Sequence, residues 1–294
     1  MGDDRQMKKI RVGILGVAAA AALCFTAGAV YLYARGVWQM PIPADRALPV
    51  LMYHHIVEDG EPCNDMTITV SRMEQDLRWL TEHGYHTVLP RELAGGEPLP
   101  EKPLLITFDD GYRSNYTLAY PILQKYGMKA TIFAVGVSFG TDHYKDTDYA
   151  ITPHFGAAEA AEMTASGLIS IQSHTYDMHQ WPPYETGSAV RENILQLSSE
   201  SEEAYVQALT EDFTRSRALL EGATGQPVDV LAYPAGQYST LTQVTLQSLG
   251  VHVTLSTNPG VNTVVKGLPQ TLYAMLRFGI TEDVSPEALL NMIQ

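Results

Sequence analysis

Leu104-Leu105-Ile106-Thr107-Phe108-Asp109-Asp110-Gly111 is the stretch on which the reading turns. Its near-continuous apolar run predicts a strand covered on both faces, as in a parallel sheet. Two carboxylates then stand at the carboxyl end, where burial is unfavourable unless a cation compensates them. Adjacent strand residues point to opposite faces, so both carboxylates reach one site only if the chain turns at the pair. Gly111 makes that turn easy. Taken alone, Asp-Gly after a strand is also an ordinary turn in which one Asp caps the next helix.

Working outward, further strands are expected at Val50 to Tyr53, His86 to Leu89, Ala130 to Val135, Ile169 to Ser173, Val228 to Tyr233, His252 to Ser256 and Tyr273 to Phe278. Helical spacing links Met73, Leu77 and Leu80 behind a capping-box pattern at Ser71-Arg72-Met73-Glu74. Helices are also predicted over 114–125, 156–166 and Ser239 to Leu249, with a last one opening at Ser285-Pro286-Glu287. This alternation, without a repeat period, implies an α/β fold built on a parallel sheet, open or closed into a barrel. The connection from Thr175 to Pro227 is too long for a simple crossover. Its Glu-rich part, Glu200 to Asp212, reads as a solvated helix face.

A chain of 294 residues with 45% hydrophobic and 18% charged residues is neither disordered, collagen-like nor a polytopic membrane protein. Residues 1–40 hold five basic side chains against two acidic ones, so the total of -14 leaves -17 on the rest. So acidic a body disfavours a nucleic-acid partner and admits neutral or cationic substrates. With Cys24 in the apolar segment and Cys63 alone in the body, an internal disulfide of the body is excluded.

Val12 to Tyr33 is 22 residues without a charge, about 33 Å as a helix and enough to cross a bilayer. Lys8, Lys9 and Arg11 precede it, which keeps residues 1–11 cytoplasmic and sends the remainder outside. The expected organisation is a tail (1–11), a transmembrane signal-anchor (12–33), a Pro-containing stalk (34–49) and a folded α/β domain (50–294). Cleavage near Ala27-Gly28-Ala29 would instead give a secreted protein.

Two more motifs follow strands. Ser173-His174-Thr175-Tyr176-Asp177-Met178-His179 spaces its histidines within the ~3–5 residue gap of paired zinc ligands. Positions five apart on a helix differ by ~140°, so they share an ion only from an irregular turn. A buried core histidine followed by a surface one is the plain alternative. Joined by Asp110, the pair becomes Asp plus two His with an open coordination position, as a hydrolytic metal requires. Leu231-Ala232-Tyr233-Pro234-Ala235-Gly236 places a Pro-x-Gly turn at a strand end, where backbone N–H groups can face a substrate oxygen.

Taken in order, Thr107 to Gly111, the His174/His179 pair and Tyr233 to Gly236 resemble the polysaccharide deacetylase family (NodB-like, carbohydrate esterase family 4), over roughly residues 48–280. Pro49 to Ile56 resembles the opening strand of the poly-N-acetylglucosamine deacetylase branch, which shares the longer histidine gap. The resemblance implies a distorted (β/α) barrel of seven strands, one divalent metal, and removal of N-acetyl groups from a glycan. By position, Asp109 becomes the general base and Asp110, His174 and His179 the metal ligands. Tyr233, Pro234 and Ala235 become the substrate and oxyanion turn. Zinc is the first choice for such ligands; cobalt, nickel and iron suit them too.

Departures from the family pattern are informative. Ala232-Tyr233 stand where an arginine usually precedes the Pro turn, and the late Asp-Trp and His motifs have no clear match. Arg277 is the candidate positive partner for Asp109, and His54 the candidate to line the cleft and protonate the leaving amine. For both, packing or a surface salt bridge is the plain alternative. Competing functions are a degenerate membrane-anchored glycan binder, a phosphatase using Asp109 as nucleophile, and a structural envelope protein.

Overall fold

The computed structural model describes residues 47–294 apart from Gly96, Pro183 and Ser188. The expected anchor over 12–33 and nearly all of the stalk lie outside the described residues. Among those described, no helix is long and apolar enough to cross a membrane.

Seven strands run parallel in one sheet: β1 (Val50–Tyr53), β2 (Pro103–Phe108), β3 (Ala130–Ala134), β4 (Ile169–Ser173), β5 (Val230–Ala232), β6 (Val253–Leu255) and β7 (Phe278–Gly279). Their spatial order is β6-β5-β4-β3-β2-β1-β7, and His86–Thr87 pairs beside the start of β2. The expected distorted barrel takes the form of a half-barrel. Its seam is bridged by the segment before β7. Met275 donates its N–H to the Thr254 carbonyl at 2.8 Å and bridges Leu255, whereas Phe278 pairs with Leu51. The single strand expected over Tyr273 to Phe278 is therefore split, because left-handed Ala274 (φ 50°) lets the chain leave one edge for the other.

Period-two alternation sorts the sheet's side chains. Val50, Leu105, Phe133, Val230, Ala232, Val253 and Leu255 pack together on the inner face. Leu51, Tyr53, Leu104, Ile106, Phe108, Ile132, Ile169 and Ile171 pack outward against helices. The first helix, α1 (Val70–Glu82), buries Met73, Leu77 and Leu80 as expected. Its N-cap is Thr69, whose hydroxyl accepts the Arg72 N–H, and not Ser71. Ser71 is occupied elsewhere, donating to the Asp59 carboxylate.

The remaining helices are α2 (Pro90–Ala94), α3 (Tyr120–Tyr126), α4 (Ala157–Ala165), α5 (Glu202–Thr224), α6 (Thr240–Ser248) and α7 (Pro286–Ile293). A π-turn over Asn115–Ala119 leads into α3. Pro121 lacks the N–H that would continue a regular ladder, and the Tyr120 N–H reaches back to the Asn115 carbonyl. Ala47–Leu48 pairs antiparallel with Asn262–Thr263, so the fold takes in the end of the segment read as stalk. The strand ends that follow Tyr53, Phe108, Ser173 and Ala232 all gather at one rim, where parallel barrels place their sites.

Candidate metal and catalytic site

Asp109 continues the inward register of Leu105 and Thr107 and is buried at the rim. The next residue would face outward if the strand went on. Instead Asp110 has φ 70° and Gly111 φ 81°, so the chain reverses and both carboxylates serve one cleft. Gly111 is needed there: a Cβ would meet the Ala134 backbone at 3.1 Å. His174 likewise follows the inward Ser170 and Gln172, and left-handed Thr175 (φ 74°) turns the chain after it. Such turns in non-glycine residues cost about 1–3 kcal/mol each and tend to collect at functional sites.

The three expected ligands come together. His174 Nε2 lies 3.6 Å and His179 Nε2 3.7 Å from Asp110 Oδ1. One ligand atom from each of the three falls within 4.8 Å of the others. Bonds of ~2.0–2.1 Å around a tetrahedral ion would separate neighbouring donors by about 3.3 Å, so small shifts suffice. Each imidazole is also aimed. His174 Nδ1 pairs with the Ala232 carbonyl at 2.9 Å, and His179 Nδ1 with the Glu192 carbonyl at 3.1 Å. Both Nε2 lone pairs are thereby turned toward Asp110. Burial lowers the His174 pKa to about 4 despite Asp109 and Asp110 nearby, which leaves it neutral and able to ligate at pH 7. This donor set fits a divalent transition metal.

Asp109 stands apart from that trio. Arg277, fully buried, donates from its two terminal nitrogens to Oδ1 at 2.6 Å and Oδ2 at 2.8 Å. Its Nε donates to the Ser256 carbonyl at 2.7 Å. Burial alone would raise the Asp109 carboxyl, but Arg277, then His174 and His54, hold it well below the carboxylate range. Asp110 is also held below its ordinary value, with His174, His54 and His179 outweighing burial. His54 thus sits close enough to act electrostatically on both carboxyls; its own carbonyl accepts the Asn115 side-chain N–H at 2.8 Å.

The Pro turn divides differently from expectation. Pro234 is buried at its base and Ala235 is exposed in the left-handed region (φ 52°). Tyr233, however, turns its side chain away from the cleft. Being one residue out of the inward register of Val230 and Ala232, it packs with Leu231, Tyr205 and Leu246 under the helices. Its hydroxyl donates to Gln243, and its ring stacks on Tyr238 at 4.7 Å.

Two residues were not anticipated. Tyr112 follows the Asp-Asp-Gly turn and contacts His55 and His154 at ring distances of 5.0 and 5.1 Å. Burial and then the neighbouring Asp110 carboxylate push its phenol well above the ordinary range. Asp212 lies on α5, within the helix read as solvated. Its carboxylate is buried and accepts the Tyr176 N–H at 2.8 Å and the Asp177 N–H at 2.6 Å, pinning the loop between the two histidines. Burial pushes that carboxyl up to about 6 even so. The signal was available, because Asp212 falls on the helical stripe of Tyr205, Leu209, Phe213 and Leu220.

Replacing Asp212 by Asn removes one of the two acceptors and turns an N–H toward another N–H. Metal affinity, measured by calorimetric titration of zinc into the chain, is expected to fall about tenfold to a hundredfold. Unchanged affinity would show that the loop holds His179 without it.

Comparison with known proteins agrees with this geometry. The profile of the family described as Polysaccharide deacetylase matches residues 96–254. The YxkH protein of Bacillus subtilis (strain 168) is 32% identical over 245 residues, covering 82% of this chain and 74% of its own length. The poly-beta-1,6-N-acetyl-D-glucosamine N-deacetylase of Escherichia coli (strain K12) is 32% identical over 143 residues, which is 44% of this chain and 20% of that protein. The solved structure of IcaB from Ammonifex degensii gives a TM-score of 0.66 at 27% identity, over 85% of this chain and 97% of that one.

Proposed function

The chain belongs to the polysaccharide deacetylase family, and on that footing we propose that it hydrolyses N-acetyl groups from an extracellular or cell-surface polysaccharide containing N-acetylglucosamine. The carrying observation is the convergence of Asp110, His174 and His179 beside an Asp109 whose two oxygens are held by Arg277. Zinc is the metal we favour for those donors. The apolar segment 12–33 supports a membrane anchor with this domain outside.

A divalent cation, when bound by Asp110 and the two Nε2 atoms, supplies a Lewis acid that polarises the acetamide carbonyl and makes water easier to deprotonate. Asp109 takes the proton from the attacking water. A carboxylate offers about four lone-pair sites and Arg277 uses two, so the carboxylate stays charged, oriented and still able to accept. Within the Pro turn, the Gly236 and Gln237 N–H groups bond to Tyr233 and Pro234 carbonyls. The exposed Ala235 N–H is left for the carbonyl oxygen as it becomes an oxyanion. His54 then gives a proton to the departing amine as the C–N bond breaks, releasing acetate and a glucosamine residue.

The test is acetate release from chitooligosaccharides, poly-N-acetylglucosamine and peptidoglycan by the purified chain, with zinc and with a chelator. Release from at least one substrate, abolished by chelation and restored by zinc, is the expected result. Zinc-loaded protein that binds these glycans and frees no acetate would make it a glycan binder.

A further inference from the structure

The loop that carries His179 also carries an aromatic surface that the deacetylation chemistry leaves unused. Trp181 follows His179 by two residues, so their Cα atoms are within about 7 Å. Its ring meets Tyr184 edge-on at 5.8 Å, and Tyr184 in turn meets Tyr149 at 5.2 Å and Tyr144 at 5.1 Å. Trp181 and Tyr149 are each 58% exposed. Large aromatic side chains bury well when they can, and two standing open beside a third form a patch that calls for an occupant.

The patch is held in place from below. Lys145 bonds to both Asp177 and Glu185, and the Tyr144 hydroxyl donates to Glu185 at 3.0 Å. These contacts staple the loop before α4 to the loop that carries His179, on both sides of it. One ammonium between two carboxylates leaves this rim net negative, on a chain whose total is -14.

We propose that Trp181, Tyr184 and Tyr149 form a subsite that stacks on a pyranose ring of the glycan beyond the immediate neighbour of the residue being deacetylated. The proposal rests on the deacetylase reading and extends it along the polymer. Three features select this occupant. The platform stands on the loop that carries the metal ligand His179, two residues beyond it. Aromatic faces match the C–H face of a sugar ring, while the surrounding carboxylates can take its hydroxyls. A net negative rim repels anionic polymers and anionic lipid surfaces, but admits neutral acetylated sugars and the cationic amines left after deacetylation.

The experiment compares full-length wild type, Trp181→Ala, Trp181→Phe and Tyr149→Ala on N-acetylglucosamine oligomers of two to six units, β-1,4- and β-1,6-linked. For Trp181→Ala, kcat/KM on the hexamer is expected to fall about five- to tenfold, through KM and not kcat. The disaccharide should be unaffected and Trp181→Phe should restore most of the loss. Because both positions are exposed, the thermal midpoint should not move. Equal losses at every length, or no loss on the hexamer, overturns the subsite.

Tryptophan fluorescence supplies a second readout that does not depend on turnover. The hexamer should quench wild-type emission, with the quench missing in Trp181→Ala. If zinc-loaded wild type released no acetate, the catalytic reading would fail while this measurement still decided the platform. Absence of the quench overturns it, as does a Trp181→Ala defect confined to binding of phosphatidylglycerol vesicles.

Discussion

Arg277→Met is expected to destabilise the domain by about 3–5 kcal/mol, because it strands the Asp109 carboxylate in the interior without a cation. For a domain of this size that lowers the thermal midpoint by roughly 6–20 °C. Methionine fills much the same volume, so the effect reports charge and hydrogen bonding more than a cavity. Removing both partners tests this directly: Asp109→Asn with Arg277→Met should recover most of the loss, since neither member is then left charged and alone. A single variant as stable as wild type would mean that the pair contributes little.

The pH dependence has a definite sign. In chelator, where only protein groups titrate, wild-type Asp109 has a folded pKa below its unfolded value near ~3.9. Its contribution is therefore complete above about pH 4 and is lost as pH falls further. In Arg277→Met the largest opposing charge is gone, and burial, the leading influence, is opposed only by His174 and His54 and raises the carboxyl. The variant's deficit is then largest at neutral pH and shrinks on acidification, as the buried group takes up a proton. Denaturant unfolding of both proteins at pH 7 and pH 4.5 should show the gap closing. A gap that widened toward acid would place the origin of the defect elsewhere.

How far the sequence could carry these conclusions depended on whether a feature was local. β2 was legible because a doubly covered strand has nowhere to put polar residues until it ends at Asp109. Arg277 was a candidate because the resemblance implies an arginine that Ala232-Tyr233 do not supply and a buried carboxylate needs a cation, although 168 residues separate the partners. Tyr233 was grouped with the Pro turn, and only the strand's register separates it: with Val230 and Ala232 facing in, Tyr233 faces out. Asp212 was hidden by its glutamate-rich surroundings, which drew attention to charge and away from the apolar stripe it shares. Ser71 looked like a cap because Glu74 completed the pattern, yet Thr69 was equally able and the helix begins with its help. Tyr112 carried no signal of its own, because its contacts with His55 and His154 arise from loops that only the fold brings together.

Asp109→Asn is expected to lower the rate of acetate release by about 10²- to 10⁴-fold while zinc still binds with one ion per chain. Asp110→Asn should instead lose the metal, and activity with it. The two residues are adjacent and chemically identical, so no difference in side-chain type can separate them. Geometry does: Asp109 ends the inward row of Leu105 and Thr107 against Arg277, whereas Asp110 stands on a left-handed turn, facing the two imidazoles. In Asp109→Asn the amide retains one acceptor for Arg277 but brings an N–H against the other guanidinium nitrogen. Some stability should therefore be lost, and rates must be compared at a temperature where zinc content and near-ultraviolet circular dichroism show the variant folded. Under those conditions, an Asp109→Asn protein that released acetate at the wild-type rate would remove Asp109 as the base. One that had lost its zinc would mean that the division of labour within the pair is drawn in the wrong place.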